Sequence, residues 1–533
     1  MSPRVTYARA LAASLALYAA APAAARAQDA PAASPVLKRS AYEDLQMFGQ
    51  VLNQIRVNHP DSVDMHELFM AAVRGMIHAT DPHSYVVTGM RIEPGKDAAL
   101  REGKLHPVPI SFAYAGAAPV VVSVAAGTAA RQLDILPGDE LVAMDGAPVT
   151  ATSAEELDIV LSGPKKSAIA LTFERRRSDG SLVQLERSVR RESFDAATAV
   201  PVSVMVDSAT GYVRVTTFMG ERVADDLHAA LERLENTGMR RLVLDLRDNG
   251  GGSVAEAARV AGEFLPRGAV VYTSNGRKAE ITDTGRVQRT FWRSERHYPI
   301  VVMVNAGTAS ASELVAGALQ DHDRALIVGR PTFGKSLLMR GFPMSDGSVL
   351  VLVVGQVRTP CGRVVQRQYR SITRRDYYRM ARAERDTAGR PSCKTDAGRV
   401  VYGGGGIYPD LPLSEAAPLP RWAIRAEEQQ LPLTWSGGYL EANAAALTSL
   451  ESFATTGALP AAALTDFRAF AARQGVVVPP DADAQLQRLL LGSVAEAKWG
   501  TEGALRVEAA HDAAIREAIG SFARATQLLG RVP

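Results

Sequence analysis

Two spacings of apolar residues alternate along the chain, and their order divides it. Leu45, Phe48, Leu52 and Ile55, then Leu68, Phe69, Ala72, Val73, Met76 and Ile77, recur at helical spacing, which predicts two helices ending at Asp81-Pro82-His83. From about Leu105 to Arg190 the pattern shortens to strands over Val120–Val124, Glu140–Met144, Ala168–Phe173 and Leu182–Val189. Turn signals such as Pro137-Gly138-Asp139 and Asp145-Gly146 separate them. Between about Gly211 and Val357 both periods alternate. Tyr212–Thr216, Leu242–Leu246, Pro299–Val304 and Ser348–Val354 read as strands, and Val223–Leu234 and Glu313–Gln320 as helices, an order that predicts an α/β core. Beyond about Leu411 the helical period dominates, over Leu440–Phe453, Ala462–Arg473, Ala484–Trp499 and Glu502–Leu529. No internal repeat is evident.

Composition fits such a multi-domain chain. At 533 residues, roughly three or four units are expected, and 47% hydrophobic residues suffice for their cores. Residues 1–27 read as a removable export signal. Arg4 and Arg9 precede the apolar stretch Ala10–Ala21, too short to span a bilayer, and Ala25-Arg26-Ala27 is a small-x-small cleavage site. Removing it takes away three arginines and no acid, so the formal charge of +3 falls to about neutral and argues against nucleic acid as a partner. No other stretch approaches the roughly 20 apolar residues of a transmembrane helix. The expected divisions are 1–27 signal, 28–40 linker, 41–98 helical segment, 99–192 strand-rich domain, 193–415 α/β core and 416–533 helical region.

Cys361 and Cys393 are the only cysteines. In an exported chain a pair is most simply a disulfide, although two free thiols fit the sequence as well. His83 follows Asp81-Pro82 and reads as a turn or capping residue rather than a metal ligand. His66-Glu67 does not extend to a zincin motif, since Met70 stands where the second histidine is needed.

Candidate chemistry gathers in three places. Ser310, in Gly307-Thr308-Ala309-Ser310-Ala311-Ser312-Glu313, falls at a strand-to-helix corner, near the positive end of a helix dipole where an oxyanion is well supported. Taken alone, a serine there is an ordinary N-cap. Asn249-Gly250-Gly251-Gly252 follows the strand Leu242–Leu246, and its amides, with that of Ala311, suit an oxyanion hole; the bland reading is a tight turn. Lys335 lies in Thr332-Phe333-Gly334-Lys335-Ser336. A free lysine is charged in all but roughly one molecule in a few thousand at pH 7, so it serves as a base only if burial among Phe333, Leu337 and Leu338 lowers its pKa. A rival is Gly329-Arg330-Pro331-Thr332-Phe333-Gly334-Lys335-Ser336, which matches a phosphate loop in full. That loop needs a helix starting at the lysine, and Gly341, Pro343 and the strand pattern from Ser348 argue against one. Glu313 and Asp321 are possible supporting carboxylates, with plain readings as first-turn and helix-end acids. His322 lies about 18 Å from Ser310 along a regular helix, out of reach for a triad.

The strand-rich segment, marked by Leu136-Pro137-Gly138-Asp139-Glu140-Leu141-Val142-Ala143-Met144-Asp145-Gly146, resembles a PDZ domain. Pro107-Val108-Pro109-Ile110 stands where its carboxylate-binding loop is expected, and two prolines remove two donors. Further matching pieces are Asp81-Pro82-His83-Ser84, Asp245-Leu246-Arg247-Asp248-Asn249, Gly317-Ala318-Leu319-Gln320-Asp321, Thr359-Pro360-Cys361-Gly362-Arg363 and Gly406-Ile407-Tyr408-Pro409-Asp410. Together with the Ser310 and Lys335 blocks, from about Tyr42 to Pro412, they resemble the carboxyl-terminal processing (tail-specific) proteases, Ser/Lys peptidases with an inserted PDZ domain. The resemblance implies a multi-domain α/β chain. It has a crotonase-like α/β protease core, an inserted PDZ β-rich domain, an N-terminal helical segment and a C-terminal helical region. It implies Ser310 as nucleophile, Lys335 as base, Gly251 and Ala311 as oxyanion amides, and no metal or cofactor. Implied partners are protein or peptide substrates with exposed, flexible, apolar C-termini, met in the periplasm, with an adaptor or a homo-oligomer as further possibilities. Two more departures stand out. Met339 replaces the glutamine usual four residues after the lysine, and Ser336-Leu337 replaces Gly-Ser. Met339 leaves open a second class, a catalytically weak relative that binds tails without cutting them.

Overall fold

In the computed structural model every residue of the strands Thr210–Arg214, Ile300–Val304 and Leu326–Gly329 is buried, as are the last four of Arg241–Asp245. Strands apolar on both faces need cover on both. They form a six-stranded sheet in the order Leu411–Pro412, Leu326–Gly329, Ile300–Val304, Arg241–Asp245, Thr210–Arg214 and Val202–Met205. All neighbours are parallel except the last pair. Alternate residues then separate into two layers. Leu242, Leu244, Ile300, Val302 and Ile327 pack with helices Val223–Asn236, Val254–Gly262 and Ala311–Asp321. Tyr212, Val243, Val301, Met303 and Val328 pack with Ile515, Ala518, Phe522 and Leu528 of helices Ala513–Gly520 and Phe522–Leu529.

The structure describes residues 40–530 apart from 88–95, 97–98, 100–103, 116–117, 125–127, 137, 150, 152–153, 177–180, 193–197, 221, 289–295, 346–347, 371, 373, 384, 415–418 and 444. The expected signal and all but the last linker residue lie outside the described residues. No helix among the described residues is long and apolar enough to cross a membrane. Of the described residues, 40–73 form a unit of their own, which includes helix Ala41–Asn58. That helix opens with a capping box: Ser40 N–H donates to Glu43 Oε2 at 2.7 Å, and Glu43 N–H to the Ser40 hydroxyl at 3.3 Å.

In the second unit, an antiparallel sheet joins Tyr85–Val87, Val349–Arg358, Val270–Gly276 and Asp283–Arg286, with Leu337–Pro343 paired to Val349–Arg358. The strand-rich segment forms a separate antiparallel sheet in the order Ile110–Ala115, Ala118–Val124, Glu140–Met144, Ala168–Arg176 and Leu182–Arg190. Its core also takes in Leu157 and Leu161 of helix Ala154–Leu161. Helices between Arg421 and His511 build another core around Trp435, Phe467, Leu486 and Leu490.

Two long helices expected from periodicity are broken. Leu440–Phe453 is divided between Leu431–Asn443 and Leu450–Thr456, the second capped by Ser449. Glu502–Leu529 becomes Thr501–His511, Ala513–Gly520 and Phe522–Leu529, with Asp512 accepting from Ala514 N–H at the first break. Short polar residues that bond their own backbone stop a helix even where the apolar period continues. The two final helices consequently cover the core sheet instead of joining the helical core before them.

Candidate active site

Strand Ile300–Val304 delivers Asn305, and a short turn leads to Ser310 at the N-cap of helix Ala311–Asp321. Ser310 has φ 58° and ψ −117°, a conformation L-residues seldom adopt. Such strain persists only where the surroundings over-determine it. Here the glycine turn supplies the constraint. Ala309 N–H and the Ser312 hydroxyl both donate to the Asn249 carbonyl at 2.9 Å, and the Thr308 hydroxyl donates to the Leu246 carbonyl at 2.8 Å.

Asn249 also fixes its own turn, donating through Nδ2 to the Val215 carbonyl and accepting from Gly251 N–H at 3.0 Å. Gly251 has φ 98°, and a Cβ there would lie 2.7 Å from the Ala309 carbonyl oxygen, 2.8 Å from Ala311 N and 2.8 Å from Ser310 Cβ. The fold therefore brings Gly251, Ser310 and Ala311 together with no room for a methyl group between them. The Gly251 amide, expected as an oxyanion donor, already has an acceptor in Asn249 Oδ1. Its use on an oxyanion would require that Asx turn to share or yield it.

Lys335 arrives from the other side, on the loop between strands Leu326–Gly329 and Leu337–Pro343. Phe333 N–H donates to the Thr308 carbonyl at 2.9 Å, and Arg367 N–H to the Gly334 carbonyl at 2.9 Å. Ser336 N–H donates to Gln366 Oε1 at 2.9 Å, and the Tyr377 hydroxyl to the Gly334 carbonyl at 3.3 Å. His83 sits behind this loop, its Nε2 3.1 Å from the Tyr377 hydroxyl and its ring edge-on to Phe333. Lys335 is half-buried, and burial lowers the pKa of its amine, while the charges of Glu313 and Asp81 pull it back up.

Glu313 joins the two sides. Its carboxylate is buried and accepts four hydrogen bonds: the Thr332 hydroxyl at 2.5 Å and Gly334 N–H at 2.7 Å on Oε1, and Ser310 N–H and Lys335 N–H, each at 2.8 Å, on Oε2. The backbone nitrogens of Ser310 and Lys335 thus lie within two hydrogen-bond lengths of each other. Burial pushes the Glu313 pKa up to about 7 against the opposing pull of those four bonds. Sequence reading admitted Glu313 only as a possible support with a first-turn role. Its full part was invisible because three of its donors come from a loop about twenty residues away. Gln366, Arg367 and Tyr377 were missed for the same reason, and Asn249 was read only as the first residue of the glycine turn.

The remaining candidates lie elsewhere. Asp321 stands at the opposite end of the helix that Ser310 caps, paired with Arg363 at 2.7 Å and accepting from Cys361 N–H at 3.1 Å. His322 pairs with Asp396 at 2.7 Å and the Val270 carbonyl at 2.8 Å. Cys361 and Cys393 are bonded to each other. Met339 lies in strand Leu337–Pro343 opposite Val353, beside a register shift. After Lys335 the chain enters that strand rather than a helix, and Gly334 N–H faces a carboxylate, so no phosphate cradle forms.

Residues 209–374 match the model of peptidase family S41. The chain is 34% identical over 308 residues to a chloroplastic carboxyl-terminal-processing peptidase 2 of Arabidopsis thaliana, covering 55% of this chain and 57% of that protein. It is 30% identical over 334 residues to a carboxy-terminal-processing protease of Bartonella bacilliformis, covering 62% and 74%. A Synechocystis carboxyl-terminal-processing protease is 34% identical over 240 residues, covering 44% and 53%. The chain therefore spans little more than half the length of the first and third. The solved photosystem II D1 C-terminal processing protease aligns with a TM-score of 0.35 at 24% identity, over 75% of this chain and 91% of that one.

Proposed function

The chain belongs to the carboxyl-terminal processing proteases, and from that membership we propose that it is a serine endopeptidase working through Ser310 and Lys335. The observation that carries the proposal is the shared acceptor, Glu313 Oε2, which ties the main chains of both residues. The uncharged Lys335 amine takes the Ser310 proton, Ser310 Oγ attacks a peptide carbonyl, and the oxyanion is received by the Ala311 amide and by the Gly251 amide, which Asn249 Oδ1 must share or yield. Protonated Lys335 then gives its proton to the leaving amine, and water releases the acyl-enzyme by the reverse sequence. Desolvation of Lys335 favours its uncharged form, as a base at that position requires.

The antiparallel sheet over 110–190 serves as the PDZ domain of this reading, and the α/β core as a crotonase-like protease domain. Strand Ile110–Ala115 is an edge of that sheet and can accept a peptide as an added strand. Substrates are then proteins with flexible, apolar C-termini, met in the periplasm. Met339 favours a second reading, a tail-binding protein with weak or no catalysis, because a thioether cannot orient an amine as an amide can.

The test incubates the chain with a disordered protein bearing an apolar tail and identifies fragments by mass spectrometry, beside Ser310→Ala and Lys335→Ala. Cleavage abolished equally in both variants, with tail binding retained, supports the dyad. An intact substrate under every condition with the unsubstituted chain favours the binder.

A further inference from the structure

Beneath the glycine turn lies a charge cluster that the proposed chemistry does not use. Asp245 is fully buried at the end of its strand. It accepts from the Tyr212 hydroxyl at 2.7 Å, from Arg247 N–H at 2.9 Å and from the Arg247 guanidinium at 2.6 Å. The other side of that guanidinium, Nη1, reaches Asp512 Oδ2 at 2.6 Å. On the adjacent strand, Arg214 divides itself likewise between Glu508 at 2.8 Å and Asp248 at 3.8 Å. Arg247 and Asp248 lead directly into Asn249, whose carbonyl and side chain hold Ala309, Ser312 and Gly251.

Resting on the dyad reading, we propose that Asp512 and Glu508 are positioning residues for the oxyanion turn: from the last turn of helix Thr501–His511 and the break after it they fix Arg247 and Arg214, and through them residues 245–251. The core alone supplies Asp245 and the exposed Asp248 against two largely buried arginines. Those charges already balance, and what the two tail acids add is a second fixed partner for each guanidinium. Burial works against the Asp245 carboxylate, yet Arg247 and Arg214 hold its pKa below the usual range. The plain alternative is that Asp512 only caps helix Ala513–Gly520. Its two oxygens separate the roles, since Oδ1 accepts from Ala514 N–H at 2.8 Å and Oδ2 faces Arg247.

Asp512→Asn keeps the capping oxygen, because asparagine caps as well as aspartate, and removes the charge. In the full chain, hydrogen exchange followed by mass spectrometry should show amides 247–252 exchanging roughly tenfold faster or more, the fold-change equivalent to one lost charge-assisted hydrogen bond, while 513–520 keeps its wild-type rate. Turnover of a tail peptide should fall by a similar factor, with KM nearly unchanged and partial rescue by Asp512→Glu. Glu508→Gln is the second variant should Asp512→Asn not fold, and moves the same amides. Unaltered exchange at 247–252 in a folded variant overturns the proposal, whatever the turnover. An unsubstituted chain that cleaves nothing defeats the peptidase reading instead, and the exchange data still decide this one.

Discussion

Replacing Glu313 with glutamine removes one titration from the centre of the candidate site and keeps the shape. Its Oε2 faces two amides, whereas Oε1 faces one amide and the Thr332 hydroxyl, which can turn to accept. The glutamine nitrogen therefore takes the place of Oε1, leaving Gly334 N–H against a donor at a cost of about 1–3 kcal/mol. The sharper signature is its pH dependence. Glu313 rises from 4.5 to about 7 on burial, so the folded chain holds this proton more tightly than the unfolded one. That contribution to stability is whole below about pH 4.5 and lost as pH climbs through about 7. At about 1.4 kcal/mol per unit it amounts to about 3 kcal/mol. Groups that do not feel the Glu313 charge titrate alike in both chains and cancel in the difference, Lys335 excepted. Denaturant unfolding of wild type and Glu313→Gln between pH 4.5 and 8 should show the wild-type advantage shrinking by about that amount. Parallel curves would refute the argument that burial outweighs the four hydrogen bonds.

Four further outcomes are expected. Peptidase kcat/KM should rise with pH on an ionisation below the ordinary lysine range. Asp81→Asn should shift that limb to lower pH by removing a charge that raises the Lys335 pKa, and a limb that stays put in this variant contradicts that coupling. Gly251→Ala should abolish cleavage and lower stability by at least ~1–3 kcal/mol for the φ 98° backbone, before its contact with Ser310 Cβ, as read by calorimetry; an active variant would exclude the packing described. Cys393→Ser opens a bridge between residues 32 apart in sequence and should cost about 3–4 kcal/mol in unfolding experiments, with no change in a chain already reduced.

Periodicity and turn chemistry sufficed for much of the architecture. Strand Glu140–Met144 and the helices beginning near Val223, Ala461 and Asp483 follow from apolar spacing and local stop signals, which act within a few residues. The Ser310 and Lys335 blocks were legible for the same reason: each is a short run whose residue types carry their own chemistry. Broken helices at Asp512 and Ser449 were not, since a lone capping residue inside a continuing apolar pattern looks like any exposed polar side chain until its bond is seen.

What tertiary structure alone decided is which distant residues share an acceptor. Glu313 reads as a first-turn acid until the Thr332–Lys335 loop folds over it. Asp321, equally acidic and equally buried, is taken instead by Arg363 at the far end of the same helix. Likewise Asp512 meets Arg247 only because two short final helices, rather than one long one, lie across the sheet. Local signals determine where helices and strands start. The partners of a buried charge depend on long-range packing, because the cost of leaving it unpaired is settled only when the layers close.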